Sequence, residues 1–337
     1  DSICEFDASK LSNDFESPVA DTLRRLVAAE DEMLPVGALI AVVAEADVSD
    51  ADIEQFVVQF QESFVPEETD SGGPEPQSVI VDGKKLVYLK MGDSDKTPVL
   101  LLHGFGADIN GWLFNQADLA EVATVYALDL PGHGQSVKDV GDGDIPSLAR
   151  VVLSFMQELS IASAHLVGHS MGAAIAVKMA ADSTQSVASL TLIGPAGLGE
   201  EINTDFLRGY IAAKRQKHLR PVLEQLVSDA SLISSDMMED VFKFKRIDGV
   251  TEGLERLVDR NFADGRQTYV LRDDLQKLPM PVMVVWGEHD QIIPASHANG
   301  LAAGMTVQLI ENSGHIPQME NAARVNELIR SNIQTSV

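Results

Sequence analysis

The sequence predicts an α/β fold with a mostly parallel, doubly wound central sheet. Two observations indicate this fold class. From residue 78 onwards, short apolar runs typical of buried strands alternate with runs at helical spacing. Polar or glycine-rich segments follow several of these strands directly, which is where functional residues collect in such folds. Before residue 78 the alternation is absent, so a separate N-terminal region is expected.

Composition narrows the class of protein and its partners. The 337 residues are 45% hydrophobic, which is enough for one large core with smaller additions. A net charge of -26 argues against nucleic acid as a partner, because a phosphate backbone repels such a chain. No run approaches the roughly 20 apolar residues that a membrane span needs, and no signal-peptide pattern is seen. We therefore expect a cytoplasmic protein without a membrane partner.

Cysteine and histidine usage offers no metal chemistry. The single cysteine, Cys4, excludes an intramolecular disulfide and agrees with a reducing compartment. No cluster of Cys and His has metal-ligand spacing. We expect no metal site.

Residues 1–46 alternate short apolar runs with charged turns, which predicts short antiparallel strands near 15–18, 23–27 and 37–43. This region resembles the second half of a lipoyl domain, the swinging-arm carrier of 2-oxo acid dehydrogenase complexes. The resemblance rests on DASKLSN at 7–13 and LPVGALIAV at 34–42, with FESP between them. It implies that Lys10 carries lipoate; the alternative is an exposed lysine in a turn.

A lipoyl domain has two similar halves, and only one is recognisable here. We therefore expect a partial lipoyl-like β segment with unpaired strand edges. Such a segment would lie on the main domain, pair with another chain or stay loose. Pairing between two copies would produce a homo-oligomer.

Residues 47–77 are predicted to form a helix and a linker. Ser49 is a candidate N-cap, with Asp52 three residues later. Residues 66–77 are rich in Glu, Gly and Pro, as linkers are. An apolar stripe at helical spacing, interpreted as packing, consists of Ile53, Phe56, Val57, Phe60 and Phe64.

The main domain is predicted over residues 78–337. Its helices are expected at 147–159 and 173–181. Between 195 and 278 the strand pattern stops and amphipathic segments replace it, which predicts a helical cap inserted over the site. The strands are predicted at residues 79–81, 86–90, 99–102, 122–128, 187–193, 282–286 and 306–310, with one more directly before residue 168.

The most informative motif is GHSMG at residues 168–172, with an apolar strand before it and a helical run after it. This context predicts a nucleophile elbow, a tight turn that presents the Ser170 hydroxyl at a helix N-terminus. The Met171 N–H could then stabilise an oxyanion. The HGFG loop at 103–106 follows strand 99–102 and is expected to supply a second donor, the Phe105 N–H.

Asp290 and His315 complete a predicted catalytic triad. Each follows a strand near the C-terminus, and the chain order Ser, Asp, His is typical of folds that contain such an elbow. The histidine would take the proton of the serine, and the carboxylate would fix the tautomer of the histidine. Glu288 is the competing acid. His133, the competing base, lies in a Pro-Gly turn, and we favour a structural role for it.

Together these motifs resemble the α/β-hydrolase superfamily over residues 78–337. The resemblance implies the α/β-hydrolase fold with a helical cap. With the lipoyl-like segment, the chain resembles the dihydrolipoamide acetyltransferase component of acetoin dehydrogenase complexes. That implies acetyl transfer from lipoamide to coenzyme A, with other components of the complex as partners.

The predicted function is acyl transfer through an acyl-Ser170 intermediate. One form is a carboxylesterase-type hydrolase of small acyl esters or thioesters, which requires no cofactor. The alternative is the acetyltransferase, which would use coenzyme A as acceptor and lipoate on Lys10. A carbon-carbon bond hydrolase also stays open, whereas a non-enzymatic scaffold is disfavoured by the intact triad.

Charge is unevenly distributed along the chain. Residues 1–75 carry a net charge of -16, with 19 acidic and 3 basic residues, whereas residues 201–260 carry -1, with 11 and 10. Two interpretations are open: a solvated helix face, or a surface that steers an acidic carrier arm or coenzyme A phosphates. The basic residues without an intervening acid are Arg208, Lys214, Arg215, Lys217 and Arg220.

Overall fold

The structure is a computed structural model that describes residues 2–8, 11–16, 22–28, 38–45, 47–64 and 74–335. The chain divides into two compact units, residues 1–73 and 74–337. The division falls shortly before the predicted start of the main domain at residue 78.

The described residues of the N-terminal unit form two antiparallel strand pairs and one helix. Strand β1 (Ser2–Ala8) pairs with β2 (Leu11–Glu16), and β3 (Thr22–Leu26) pairs with β4 (Ala41–Ala44). Helix α1 (Asp50–Ser63) begins after Ser49, whose hydroxyl accepts the Asp52 N–H. The small antiparallel β segment is consistent with the lipoyl resemblance. Lys10 and most of the predicted linker lie outside the described residues.

The second unit is built on an eight-stranded sheet in the order β12-β11-β10-β9-β7-β8-β6-β5. Strand β6 pairs antiparallel with β5 and β8, and the other neighbours are parallel, as the doubly wound prediction requires. The strands are β5 (Gln77–Val81), β6 (Lys84–Met91), β7 (Val99–Leu102), β8 (Val125–Leu128), β9 (Ala164–His169), β10 (Val187–Ile193), β11 (Val282–Gly287) and β12 (Thr306–Ile310).

Helices cover both faces of this sheet. Alternate residues of β7 point to opposite faces, so Leu100 packs with one core cluster and Leu101 with the other. Helices α3 and α4 belong to the Leu100 side, and α2 and α11 belong to the Leu101 side. Their bounds are α2 (Gln116–Ala120), α3 (Ile145–Glu158), α4 (Met171–Asp182) and α11 (Ala322–Gln334), with α10 (Pro317–Glu320) directly before α11.

The strand predicted at 122–128 is shorter than expected. The N–H groups of Val122 and Ala123 both donate to the Leu119 carbonyl and so extend the turn that closes α2. Strand β8 therefore begins only at Val125.

The region between β10 and β11 is helical, as the predicted cap requires. Its elements are α5 (Thr204–Ala212), α6 (Gln216–Leu223), α7 (Ser235–Lys245), α8 (Val250–Asn261) and α9 (Arg272–Leu275). Asn261 fixes this cap to the body, because its side chain accepts the Ile145 N–H and donates to the Gly143 carbonyl. No helix within the described residues combines the length and apolarity needed to cross a bilayer.

Candidate active site

Ser170 occupies a strained turn between β9 and α4. Its φ of 52° and ψ of -116° are unfavourable for a residue with a side chain. The flanking glycines make this turn possible: a Cβ at Gly168 would lie 2.6 Å from the Ala173 Cα, and one at Gly172 would collide with the Leu102 carbonyl oxygen. The turn places Ser170, which is buried, at the start of α4, as expected of an elbow.

Asp290 and His315 are hydrogen-bonded to each other. The His315 Nδ1 lies 2.8 Å from the Asp290 Oδ2, and both side chains are almost completely buried. The other carboxylate oxygen accepts the N–H groups of Ile292 and Ile293, at 2.8 and 2.9 Å. Trp286 also donates its indole N–H to Oδ2, at 3.0 Å. The carboxylate is thus oriented by several donors besides the imidazole.

These contacts keep Asp290 ionised. Burial alone would raise the pKa of the carboxyl, but attraction to His315 and its hydrogen bonds outweigh burial and lower the pKa below the ordinary value. An ionised Asp290 favours a proton on the His315 Nδ1, which leaves the Nε2 free to act as a base. Glu288 is exposed and has no hydrogen bond to His315 within the described residues. The geometry therefore favours Asp290 over Glu288.

His315 is held from three sides. Its backbone N–H donates to the Leu226 carbonyl of the cap, at 2.8 Å. Its carbonyl lies 2.8 Å from the His169 Nε2, and the two rings are 4.8 Å apart. A Cβ at Gly194 would lie only 3.2 Å from the His315 Nδ1.

His169, the residue before the serine, is buried and supports the backbone of His315. Burial, followed by the proximity of His315, lowers the pKa of His169 to about 3, so the ring is neutral near pH 7. A neutral ring whose Nε2 contacts a carbonyl donates from that nitrogen. No local signal in the sequence indicates this contact, because the two residues are 146 positions apart.

The two predicted oxyanion donors are available. Within the described part of the chain, neither the Phe105 N–H nor the Met171 N–H has a hydrogen-bond acceptor. A Cβ at Gly104 would lie 3.0 Å from the Ser170 Cβ, so this loop approaches the serine closely. Two unsatisfied N–H groups beside a serine are the arrangement that stabilises a tetrahedral oxyanion.

Two residues outside the HGFG motif form hydrogen bonds to the loop at 103–106, which is called the oxyanion loop below. The His133 Nε2 accepts the Gly106 N–H at 3.1 Å, and the Tyr210 hydroxyl donates to the Gly106 carbonyl at 2.8 Å. Burial and the neighbouring His103 lower the pKa of His133 well below its usual value. The expected structural role for His133 thus agrees with its contacts. Tyr210 was not predicted, because only folding brings the cap to the loop.

Metal ligands are not grouped at this site. Across the described ranges, no three His, Cys, Asp or Glu side chains are arranged to hold a metal ion.

The chain is similar to a known protein family and, among others, to two curated proteins. A family model described as alpha/beta hydrolase fold matches residues 97–322. A dihydrolipoyllysine-residue acetyltransferase component of the acetoin cleaving system of Pseudomonas putida is 44% identical over 330 residues, covering 97% of this chain and 88% of that protein. A monoacylglycerol lipase of Xenopus laevis is 29% identical over 264 residues, covering 73% of this chain and 78% of that protein.

A similar solved structure is a meta-cleavage product hydrolase of Pseudomonas fluorescens. It superposes with a TM-score of 0.70 at 22% identity, covering 77% of this chain and 98% of that one. This likeness supports the fold alone.

Proposed function

This chain belongs to the alpha/beta hydrolase fold family, and we propose that it transfers small acyl groups through a covalent intermediate on Ser170. One arrangement carries the proposal. A serine on a strained elbow lies beside two N–H groups that have no acceptor among the described residues, and the preceding His169 contacts a histidine that a buried carboxylate orients. These groups supply the nucleophile, the oxyanion donors and the base that acyl transfer requires.

In the first half-reaction, His315 would take the proton of the Ser170 hydroxyl while the oxygen attacks the carbonyl carbon of a thioester. The N–H groups of Phe105 and Met171 would bind the resulting oxyanion. Collapse of the tetrahedral species breaks the carbon-sulfur bond, and the thiol leaves with the proton from His315. The product is an ester between the acyl group and Ser170.

In the second half-reaction, an acceptor would attack that ester and give its proton to His315. Collapse of the new tetrahedral species returns the proton to the Ser170 oxygen. If the acceptor is a thiol, the product is a new thioester; if it is water, the product is a carboxylic acid. The identity of the acceptor therefore separates an acyltransferase from a hydrolase.

We propose the thiol of coenzyme A as the acceptor and an acetyl-dihydrolipoyl thioester as the donor. The relative named as an acetyltransferase component matches 97% of this chain, whereas the lipase relative matches 73%. The acetyltransferase resemblance thus includes nearly the whole chain. Other components of an acetoin-cleaving system are the proposed partners. Lys10, the proposed site of lipoyl attachment, lies outside the described residues. The two half-reactions are therefore written for a thioester donor that is not attached to this chain.

Hydrolysis is the second candidate. The 29% identity to a protein named as a monoacylglycerol lipase favours this candidate. The same groups would form the acyl-serine, and water would release it.

A partition experiment distinguishes the two candidates. Purified full-length protein receives acetyl-dihydrolipoamide with and without coenzyme A, and acetate and acetyl-coenzyme A are both quantified by chromatography. We expect acetyl-coenzyme A as the main product, with acetate falling as coenzyme A is added, because both acceptors draw on one intermediate. Acetate formed at one rate, with or without coenzyme A, would instead identify a hydrolase.

A further inference from the structure

The cap contains a basic pocket that the chemistry above does not use. This cap pocket has a volume of about 490 Å³ and lies between the α5–α6 turn and the C-terminal turn of α7. Glu239 is the one acid among its lining residues. Its basic side chains are Lys214, Arg215, Lys243, Lys245 and Arg246.

This concentration of positive charge contrasts with the rest of the chain. The protein has a net charge of -26, and yet five basic residues and one acid line a single pocket. A pocket of one sign concentrates ligands of the opposite sign. The expected ligand is therefore an anion.

Three of these charges have no counter-ion among the residues that the structure describes. Lys214, Arg215 and Arg246 are exposed and form no salt bridge with an acid in the described ranges, whereas Lys243 pairs with Asp240 at 3.2 Å. Lys245 is only half-exposed. Burial, followed by repulsion from Lys214, lowers the pKa of Lys245 to about 8. An anion in the pocket would relieve this repulsion.

A helix end adds hydrogen-bond donors to the same place. Helix α6 begins at Gln216, which lines the pocket, and the preceding Arg215 provides no side-chain cap. Its first turn contains no acidic residue. The first N–H groups of an uncapped helix, together with its positive dipole end, favour phosphate oxygens.

The pocket is connected to the oxyanion loop through one tyrosine. The Lys245 Nζ lies 2.5 Å from the carbonyl oxygens of both Tyr210 and Ala213. The hydroxyl of Tyr210 donates to the Gly106 carbonyl, and its ring centroid is 5.9 Å from that of Phe105. A ligand held in the pocket is therefore held beside the helix that supports the loop next to Ser170.

We propose that the cap pocket binds the phosphate groups of coenzyme A and so recruits the acyl acceptor. This inference rests on the proposed acyltransferase function, because a hydrolase has no phosphorylated acceptor. The guanidinium groups of Arg215 and Arg246 suit phosphate through paired hydrogen bonds, and Lys214 adds a point charge. Glu239, which also lines the pocket, disfavours an acidic peptide that would cover the whole pocket.

Binding is tested first without turnover. The probe is adenosine 3′,5′-bisphosphate, the phosphorylated end of coenzyme A without a reactive thiol, titrated into full-length protein by calorimetry. Changing Lys214, Arg215 and Arg246 together to Gln is expected to weaken binding about tenfold, since each exposed contact contributes little but three add up. Changing the exposed Lys85, Lys96 and Lys277 to Gln removes equal charge elsewhere and should alter affinity less than about twofold.

The kinetic test compares two acceptors. The cap-pocket variant should raise KM for coenzyme A by a similar factor, while KM for pantetheine, which has the thiol arm but no phosphate, changes little. Equal losses with both acceptors, equal losses in both triple variants, or no binding of the bisphosphate to the wild type would overturn the inference. Calorimetry detects binding without any reaction. If the protein binds the bisphosphate but only hydrolyses thioesters, the proposed acyltransferase function is wrong, whereas the cap pocket still binds phosphate groups.

Discussion

Replacing Ser170 by Ala is expected to lower acyl transfer by up to roughly a million-fold, because the members of a triad act as one unit. The substitution removes only the hydroxyl, and the oxyanion donors at Phe105 and Met171 remain. The donor thioester should therefore still bind. The measurement is kcat for acetyl transfer, with donor affinity determined separately by calorimetry.

Ser331→Ala is the matched control. It removes the same hydroxyl group from an exposed serine on α11, far along the chain from Ser170. It should retain full activity. Retention of more than a few per cent of acyl transfer in Ser170→Ala would show that another group is the nucleophile. An unchanged unfolding temperature in both variants would show that any loss is chemical.

Replacing Asp290 by Asn should lower kcat by roughly ten-thousand-fold. The amide has nearly the same size, but it can present an N–H to the His315 Nδ1 and so favour the wrong tautomer of the imidazole. It also removes the negative charge that stabilises the imidazolium in the transition state. The measurement is kcat at saturating donor and acceptor near pH 7.

Glu288→Gln makes the equivalent change two residues earlier, on an exposed side chain without a hydrogen bond to His315. We expect its kcat to stay within about twofold of the wild type, as is usual for surface changes away from a site. The reverse pattern, with activity lost in Glu288→Gln and kept in Asp290→Asn, would transfer the role of the acid to Glu288.

The features that could be predicted from the sequence are those with local signatures. A Gly-x-Ser-x-Gly turn between a strand and a helix is written in adjacent residues, so the position of Ser170 could be predicted. Asp290 and His315 could be placed near it because both follow parallel strands, whose carboxyl ends lie at one edge of a sheet. The alternation of strands and helices was enough for the fold class.

Contacts between distant segments had no such signature. Tyr210 reaches the Gly106 carbonyl across 104 positions, and His169 supports His315 across 146. Helix α8 lies within the predicted cap, and its buried residues recur at helical spacing: Val250, Leu254, Leu257 and Val258. The strand at 122–128 was predicted three residues too long, because its apolar first residues close α2 instead.

The lining of the cap pocket could also be predicted only in part. The basic stretch is evident in the sequence, but only Lys214 and Arg215 of it line the pocket, and Arg246, directly after α7, joins them. Arg220 instead donates to the Ile233 carbonyl and pairs with Glu224 at 3.8 Å. Lipoylation of Lys10 and pairing of two N-terminal units remain predictions.

Passage of one acyl group through Ser170 to coenzyme A is the step on which the proposed function depends. Its most direct measurement is a single-turnover experiment in which full-length protein is mixed with a limiting acetyl thioester, quenched in acid and mapped by peptide mass spectrometry. We expect one acetyl group on the peptide that contains Ser170. When coenzyme A is added before quenching, we expect this group to be lost and acetyl-coenzyme A to appear. An acetyl group on another residue, or an acetyl-Ser170 that decays to acetate at the same rate with and without coenzyme A, would contradict it.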